Sequence, residues 1–187
     1  NALQQKREAF RQAGLLAAEF DTIEDLLTRY AGQCDFAALT AREYAIADAA
    51  AANAAKALGK QDEQEHFTKM SHSYRTFFDK STGFIRGVDE KGNFRTPFNP
   101  YFSAHRADDY CEGNAWQYTW LVPQDIFGYI DLFGSKEACI ARLDSLFLAP
   151  STVEGDPSPD LTGMIGQLAH GNEPSHHILY LYTIMGQ

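Results

Sequence analysis

The sequence predicts an all-α architecture of antiparallel helix pairs joined by alternately short and long loops. Three observations carry that prediction: an Ala-rich run closed by Gly59, a helical stripe from Phe67 to Phe78, and three helical stretches between residues 113 and 148 separated by Gly and Pro. A helical toroid and a helical bundle both fit this pattern.

Each element follows from local chemistry. Phe10, Leu15, Phe20, Ile23, Leu26, Leu27 and Tyr30 predict two helices ending at Gly32. Thr40-Ala41-Arg42-Glu43 has the pattern of a capping box, in which hydroxyl and carboxylate satisfy the free N–H groups of a helix start. The Ala-rich run that follows to Leu58-Gly59 reads as a buried, tightly packed helix, because small side chains let neighbouring helices approach. Phe67, Met70, Tyr74, Phe77 and Phe78 share one stripe, which predicts a second helix from Asp62 to about Phe78. Between Lys80 and Pro100 the glycines and prolines predict a long loop with one small β-hairpin near residues 83–96. Further helices are expected in 113–121, 123–133 and 135–148, with a last one starting near Pro174. The Pro- and Gly-containing, acidic segment 149–161 reads as a solvated loop, and Asp160 as part of its turn.

Composition excludes several function classes. The 187 residues are 44% hydrophobic and 22% charged, the balance of a globular domain rather than a disordered or collagenous chain. Lys plus Arg total 16 against 25 Asp plus Glu, so a net charge of −9 disfavours nucleic acid and anionic membranes as partners. Apolar runs such as Leu15–Ala18 fall far short of the roughly 20 residues that cross a bilayer. Cys34, Cys111 and Cys139 are widely spaced and odd in number, and indicate neither a disulfide framework nor a structural zinc site. The chain opens at Asn1 with neither Met nor a basic and apolar leader, as expected of a processed or cut end.

Two stretches carry more reactive side chains than a core requires, and both lie where a loop enters a predicted helix. The first is Asp108-Asp109-Tyr110-Cys111-Glu112-Gly113-Asn114-Ala115-Trp116-Gln117-Tyr118. Aromatic neighbours would help Glu112 hold a proton as a general acid, while a carboxylate at a helix start is also an ordinary dipole partner. Trp116 offers a flat face to a sugar ring, and the amides of Asn114 and Gln117 can bridge vicinal hydroxyls; a core position for Trp116 is the plainer reading. The second stretch is His170-Gly171-Asn172-Glu173-Pro174-Ser175-His176-His177. Asn172 and Glu173 supply hard oxygen donors suited to Ca²⁺ or Mg²⁺, whereas His176 and His177 suit softer metals. Glu63-Gln64-Glu65-His66 and Glu173-Pro174-Ser175-His176 also have the Glu-x-x-His spacing of di-iron bundles, so a metal-binding bundle is a rival reading. His66, His72 and His105 have no spacing that requires a ligand role.

These two stretches resemble the signatures of glycoside hydrolase family 92, the calcium-dependent exo-acting α-mannosidases. The resemblance extends through Glu43-Tyr44, Ala57-Leu58-Gly59-Lys60, Gly83-Phe84, Arg95-Thr96-Pro97-Phe98 and Pro159-Asp160-Leu161-Thr162-Gly163, and so covers about residues 41–187. It implies part of an (α/α)6 toroid, with the family's N-terminal β-sandwich and C-terminal base-bearing segment outside this chain. It implies removal of terminal α-linked mannose, most commonly α-1,2-linked, with inversion. In that scheme Glu112 is the general acid, Asn172 and Glu173 hold Ca²⁺, His176 orients the metal site, and Asn114, Trp116 and Gln117 line the sugar pocket.

The family's general-base aspartates belong to a Gly/Asp-rich motif that has no match here, so the isolated chain is expected to be inactive and to depend on contacts with the rest of its parent or on self-association. Mannose-containing glycans are the expected partners, and a periplasmic or extracellular location is implied. A helical scaffold that binds sugar without turnover is the remaining alternative.

Overall fold

The computed structural model describes residues 37–89, 91–105 and 107–187, which lie within the compact unit Phe36–Gln187. The helices expected before Gly32, and Cys34, fall outside the described residues.

Helix α1 spans Ala37–Ala57. It begins before Thr40, so Thr40 lies inside the helix and not at its cap, contrary to the capping-box expectation. Its end is as the sequence predicts: Gly59 sits at φ 68°, and the N–H groups of Gly59 and Lys60 bond the carbonyls of Lys56 and Ala55. This paired closure is the Schellman arrangement, which requires a residue tolerant of the left-handed conformation. Ala45, Ala52 and Ala55 form a single buried stripe, while Leu58 is 71% exposed. The helix is therefore buried along one face instead of all round, because its neighbours, helix α2 (Gln61–Ser71), helix α3 (Tyr74–Phe77) and the 3-10 turn Pro123–Asp125, lie on that side.

The predicted helix from Asp62 to Phe78 is broken at His72-Ser73. Beyond α3 the chain becomes extended and Phe78–Asp79 (β1) pairs antiparallel with Phe84–Ile85 (β2). The hairpin expected near 83–96 thus draws its first strand from the predicted helix, and a single antiparallel bridge, Val88 to Phe94, marks a second turn. What pulls Phe78 out of the helix is Asp79. Its carboxylate accepts from the Ser81 N–H, the hydroxyls of Ser81 and Thr82, and Arg86 Nη1 at 2.5 Å. Those bonds, made at a nearly buried site, can form only when the chain turns at residues 79–83.

Helix α4 is one turn, Ala115–Tyr118, shorter than the expected 113–121. After it come α5 (Ile126–Ile130), a 3-10 turn Asp131–Phe133 closed by Gly134 at φ 86°, and α6 (Lys136–Leu148), capped by the Ser135 hydroxyl. The core between them is aromatic: Trp120 stacks on Phe133 at 5.7 Å, and Tyr129 meets Tyr74, Phe78 and Phe133 edge-on.

The segment 149–161 is not wholly a solvated loop. Glu154–Asp156 (β4) pairs parallel with Phe102–Ala104 (β3). Met164–Ile165 (β5) and Leu168–Ala169 (β6) form a hairpin turned through Gly166-Gln167. The last helix, α7, covers Tyr180–Ile184 and begins well after Pro174, which opens only the 3-10 turn Glu173–Ser175. The N–H groups of His176, Ile178, Tyr180 and Leu181 each bond the carbonyl three residues back, which keeps this stretch tighter than an α-helix. Among the described residues no helix is long and apolar enough to cross a membrane.

Candidate active site

The loop that carries Glu112 is fixed from both sides of that residue. On its N-terminal side the Asp108 carboxylate accepts the N–H groups of Ala104 at 2.5 Å and Tyr110 at 2.7 Å, closing the loop that leads out of β3. Burial pushes this carboxyl up to about 6 against the pull of those two N–H donors. Neighbouring Asp109 is also raised by burial, with Arg95 Nη1 at 2.9 Å offsetting part of the effect. The hydroxyl of buried Tyr110 donates to the Ile85 carbonyl at 2.7 Å, tying the loop to β2.

On the C-terminal side Asn114 caps α4. Its Oδ1 accepts from the Trp116 N–H at 3.0 Å, and Gln117 Oε1 reaches back to the Asn114 N–H at 2.8 Å. Both side chains are buried, and their amide groups also bond Gln167, at 2.9 Å from Asn114 Nδ2 to Oε1 and 2.6 Å from Gln117 Nε2 to the carbonyl. The sequence assigns Asn114 and Gln117 to sugar hydroxyls; the structure commits them to this internal network. Trp116 is likewise a core residue, 7% exposed. Phe84 meets it edge-on at 4.9 Å, Tyr101 lies at 5.7 Å, and the Arg142 guanidinium lies 4.6 Å from its ring centre. These three residues therefore shape the wall that carries Glu112.

Glu112 itself is half-buried at the surface of this wall. Its main-chain carbonyl accepts the side-chain amide of Asn172 at 3.3 Å, which joins the two sequence motifs in space. Asn172 is 2% exposed, and among the described residues its Oδ1 has no hydrogen-bond partner, as is also true of the buried Ser175 hydroxyl. A buried acceptor without a donor costs free energy unless an ion or water serves it. Next along the chain, the Glu173 carboxylate is exposed. An amide oxygen and a carboxylate at consecutive positions are hard oxygen donors of the kind Ca²⁺ takes. His176 is exposed with its ring 6.0 Å from that of His170, whereas His177 points inward, its Nε2 2.6 Å from the Trp120 carbonyl. Burial lowers the His177 pKa against the opposing hydrogen bond to Trp120, and the ring ties its turn to the segment that follows α4.

The di-iron arrangement is not assembled. Glu63 pairs with Lys60 on the exposed face of α2, and among the described residues no three His, Cys, Asp or Glu side chains converge to hold a metal. Asp160 remains on an exposed turn, bonded to Ser158, as its sequence context suggests.

Two residues that sequence patterning passed over belong to this region. Gln167, fully buried, is the hub of the network around Asn114 and Gln117; its only sequence signal is the glycine before it. Gly166 adopts φ 58°, and a Cβ there would strike the carbonyls of Leu146 and Phe147. Arg142 lies 3.9 Å from the Phe84 ring centre as well as over Trp116, and burial lowers its pKa. No motif in the sequence around Arg142 marks this packing role.

No curated protein matches this sequence. Residues 27–187 match the Glycosyl hydrolase family 92 catalytic domain, beginning upstream of the motifs that start at about residue 41. Among solved structures, the family GH92 α-mannosidase of Bacteroides thetaiotaomicron in complex with mannoimidazole is 43% identical over 77% of this chain, with a TM-score of 0.68. A second structure of that enzyme gives 44% identity over 77% of the chain and a TM-score of 0.65. A family GH92 inverting mannosidase of Bacteroides thetaiotaomicron VPI-5482 is 34% identical over 76% of the chain, with a TM-score of 0.60. The chain spans only about a fifth of these proteins' own lengths, 20%, 18% and 20% respectively. With the Glu112 loop and the Asn172-Glu173 turn joined as described and the family's catalytic-domain model matched over residues 27–187, the chain belongs to glycosyl hydrolase family 92.

Proposed function

We propose that these residues form part of an (α/α)6 catalytic domain that removes terminal α-linked mannose, α-1,2-linked in the first instance, from glycans with inversion. The observation that carries this reading is the contact between the motifs: Asn172 of the second holds the carbonyl of Glu112 in the first.

Glu112 is the general acid in this scheme. An inverting hydrolase protonates the departing oxygen with one carboxylic acid while a second carboxylate activates water on the opposite sugar face. A half-buried carboxyl on a loop held from both ends meets the first requirement, since proton delivery depends on a fixed distance to the leaving oxygen. Asn114, Gln117 and Trp116 support that loop from within.

Asn172 and Glu173 are the residues that would hold Ca²⁺, with His176 orienting the turn. Calcium, when bound, would draw the vicinal hydroxyls of mannose and favour a flattened ring. The orphaned Asn172 Oδ1 and the adjacent exposed carboxylate support this placement. The 187 residues contain no match to the family's base motif, so on their own they are expected not to turn over substrate. A periplasmic or extracellular setting suits an enzyme acting on glycans.

The test is Glu112→Gln in the full-length protein. Turnover of mannobiose should fall about 100-fold or more, while an aryl mannoside whose leaving group needs no proton should be largely spared. Equal turnover by variant and wild type on mannobiose would remove Glu112 from the role.

A further inference from the structure

We infer that Gln167 is a positioning residue for Glu112, coupling the loop that carries the acid to the hairpin that leads into the Asn172-Glu173 turn; this rests on the assignment of Glu112 above. Gln167 is 0% exposed, yet every polar group it has is used. Its Oε1 accepts from Asn114 Nδ2 at 2.9 Å and Gln117 Nε2 at 3.3 Å, and its carbonyl accepts from Gln117 Nε2 at 2.6 Å. Its Nε2 donates to the carbonyls of Pro150 at 2.5 Å and Thr152 at 2.9 Å, and its N–H to the Leu146 carbonyl at 2.7 Å.

Such a residue is costly to bury unless all its bonds are made, and when they are made it fixes the segments it joins. Those segments are three: the α4 cap two residues after Glu112, the chain leaving α6, and the β5–β6 hairpin. Only Leu168–Gly171 separates Gln167 from Asn172, whose side chain returns to the Glu112 carbonyl. From one short segment, Gln167 holds the capping side chains of Asn114 and Gln117 and Asn172 holds the Glu112 carbonyl, so the acid and the turn proposed to bind calcium move as a unit. Neither Gln167 nor its partners need touch sugar for this.

A positioning defect differs from a folding defect in what it does to different leaving groups. A misplaced acid slows departures that need a proton and spares those that do not, whereas partial unfolding lowers both alike. The experiment compares kcat for mannobiose and for a dinitrophenyl α-mannoside in the full-length protein carrying Gln167→Met, which keeps length and loses every polar bond of the side chain. We expect kcat on mannobiose to drop about tenfold or more, and kcat on the aryl substrate to stay within about threefold. Equal losses on both substrates, or no loss, would overturn the inference. Gln167→Glu gives a second reading if the first variant does not fold. Ionised, it faces the Pro150 and Thr152 carbonyls with no donor; protonated, it regains one. Its mannobiose turnover relative to wild type should therefore recover as pH is lowered from about 7 to about 5, and a flat ratio would contradict the positioning role. Glu112→Gln measured alongside separates the two claims. If Glu112→Gln discriminates between substrates and the Gln167 variants do not, the inference fails and the acid assignment stands. If Glu112→Gln does not discriminate, the acid assignment itself fails.

Discussion

The side-chain amide of Asn172 donates to the main-chain carbonyl of Glu112 across 3.3 Å, sixty residues away in sequence, and its own Oδ1 has no partner among the described residues. One amide thus ties down the Glu112 loop with its nitrogen, and in the proposed scheme its oxygen is the one that would meet a cation. Substituting Asn172 should therefore cost both functions. For Asn172→Ala, calcium affinity measured by titration should fall about tenfold or more, and added calcium should restore only part of the activity. Full rescue by calcium would show that the nitrogen's bond to Glu112 has no catalytic consequence.

The Asp79 carboxylate predicts acid sensitivity. Burial raises its pKa, but hydrogen bonds from Ser81, Arg86 and Thr82 outweigh burial and hold it down at about 2. An unfolded Asp titrates near 4, so this group contributes stability above that value and loses it as pH falls from about 4 toward 2. Asp79→Ala leaves the Arg86 guanidinium buried beside Phe94 and Phe98 without its anion, and should destabilise by about 3 kcal/mol. Thermal unfolding of variant and wild type across this pH range checks both statements.

Asp108 predicts the opposite slope in the next window. Its folded pKa, raised to about 6 by burial, exceeds the unfolded value near 4, so the folded state takes up a proton between the two and this group's contribution grows as pH falls through that range. Asp108→Asn should flatten the pH dependence of stability between about 4 and 6. An unchanged slope would place Asp108 outside that titration.

The buried Cys139 thiol, pushed up to about 11 by desolvation, should resist alkylation in the folded protein and react only on unfolding. Labelling in native buffer and in denaturant, followed by peptide mapping, measures this directly.

Gly166 should tolerate no side chain. Its positive φ and the carbonyls of Leu146 and Phe147 against the Cβ position both oppose Gly166→Ala, which should cost more than about 1 kcal/mol and loosen Gln167 with it. Urea unfolding reads the loss.

The helical class, the end of α1 at Gly59 and the boundaries of α6 were legible in the sequence, because caps and stops act over a few residues. The two motifs were legible as motifs. What could not be read was where their side chains point. Asn114 and Gln117 present the same amides whether they meet a sugar or Gln167, and only the β5–β6 hairpin decides between them. The break at Phe78 escaped periodicity because the polar bonds of Asp79 override an apolar stripe. The parallel pairing of β3 with β4 escaped because it joins residues some fifty positions apart, with no local pattern to announce it.

The central claim is that these residues carry the acid and the calcium turn of an α-mannosidase. Its most direct test is mannose release from α-1,2-mannobiose by the full-length protein, with calcium and with chelator, beside the 187-residue chain alone. The account predicts calcium-dependent release by the full-length protein and none by the chain alone. Release by the chain alone, or full activity in the presence of chelator, would contradict it.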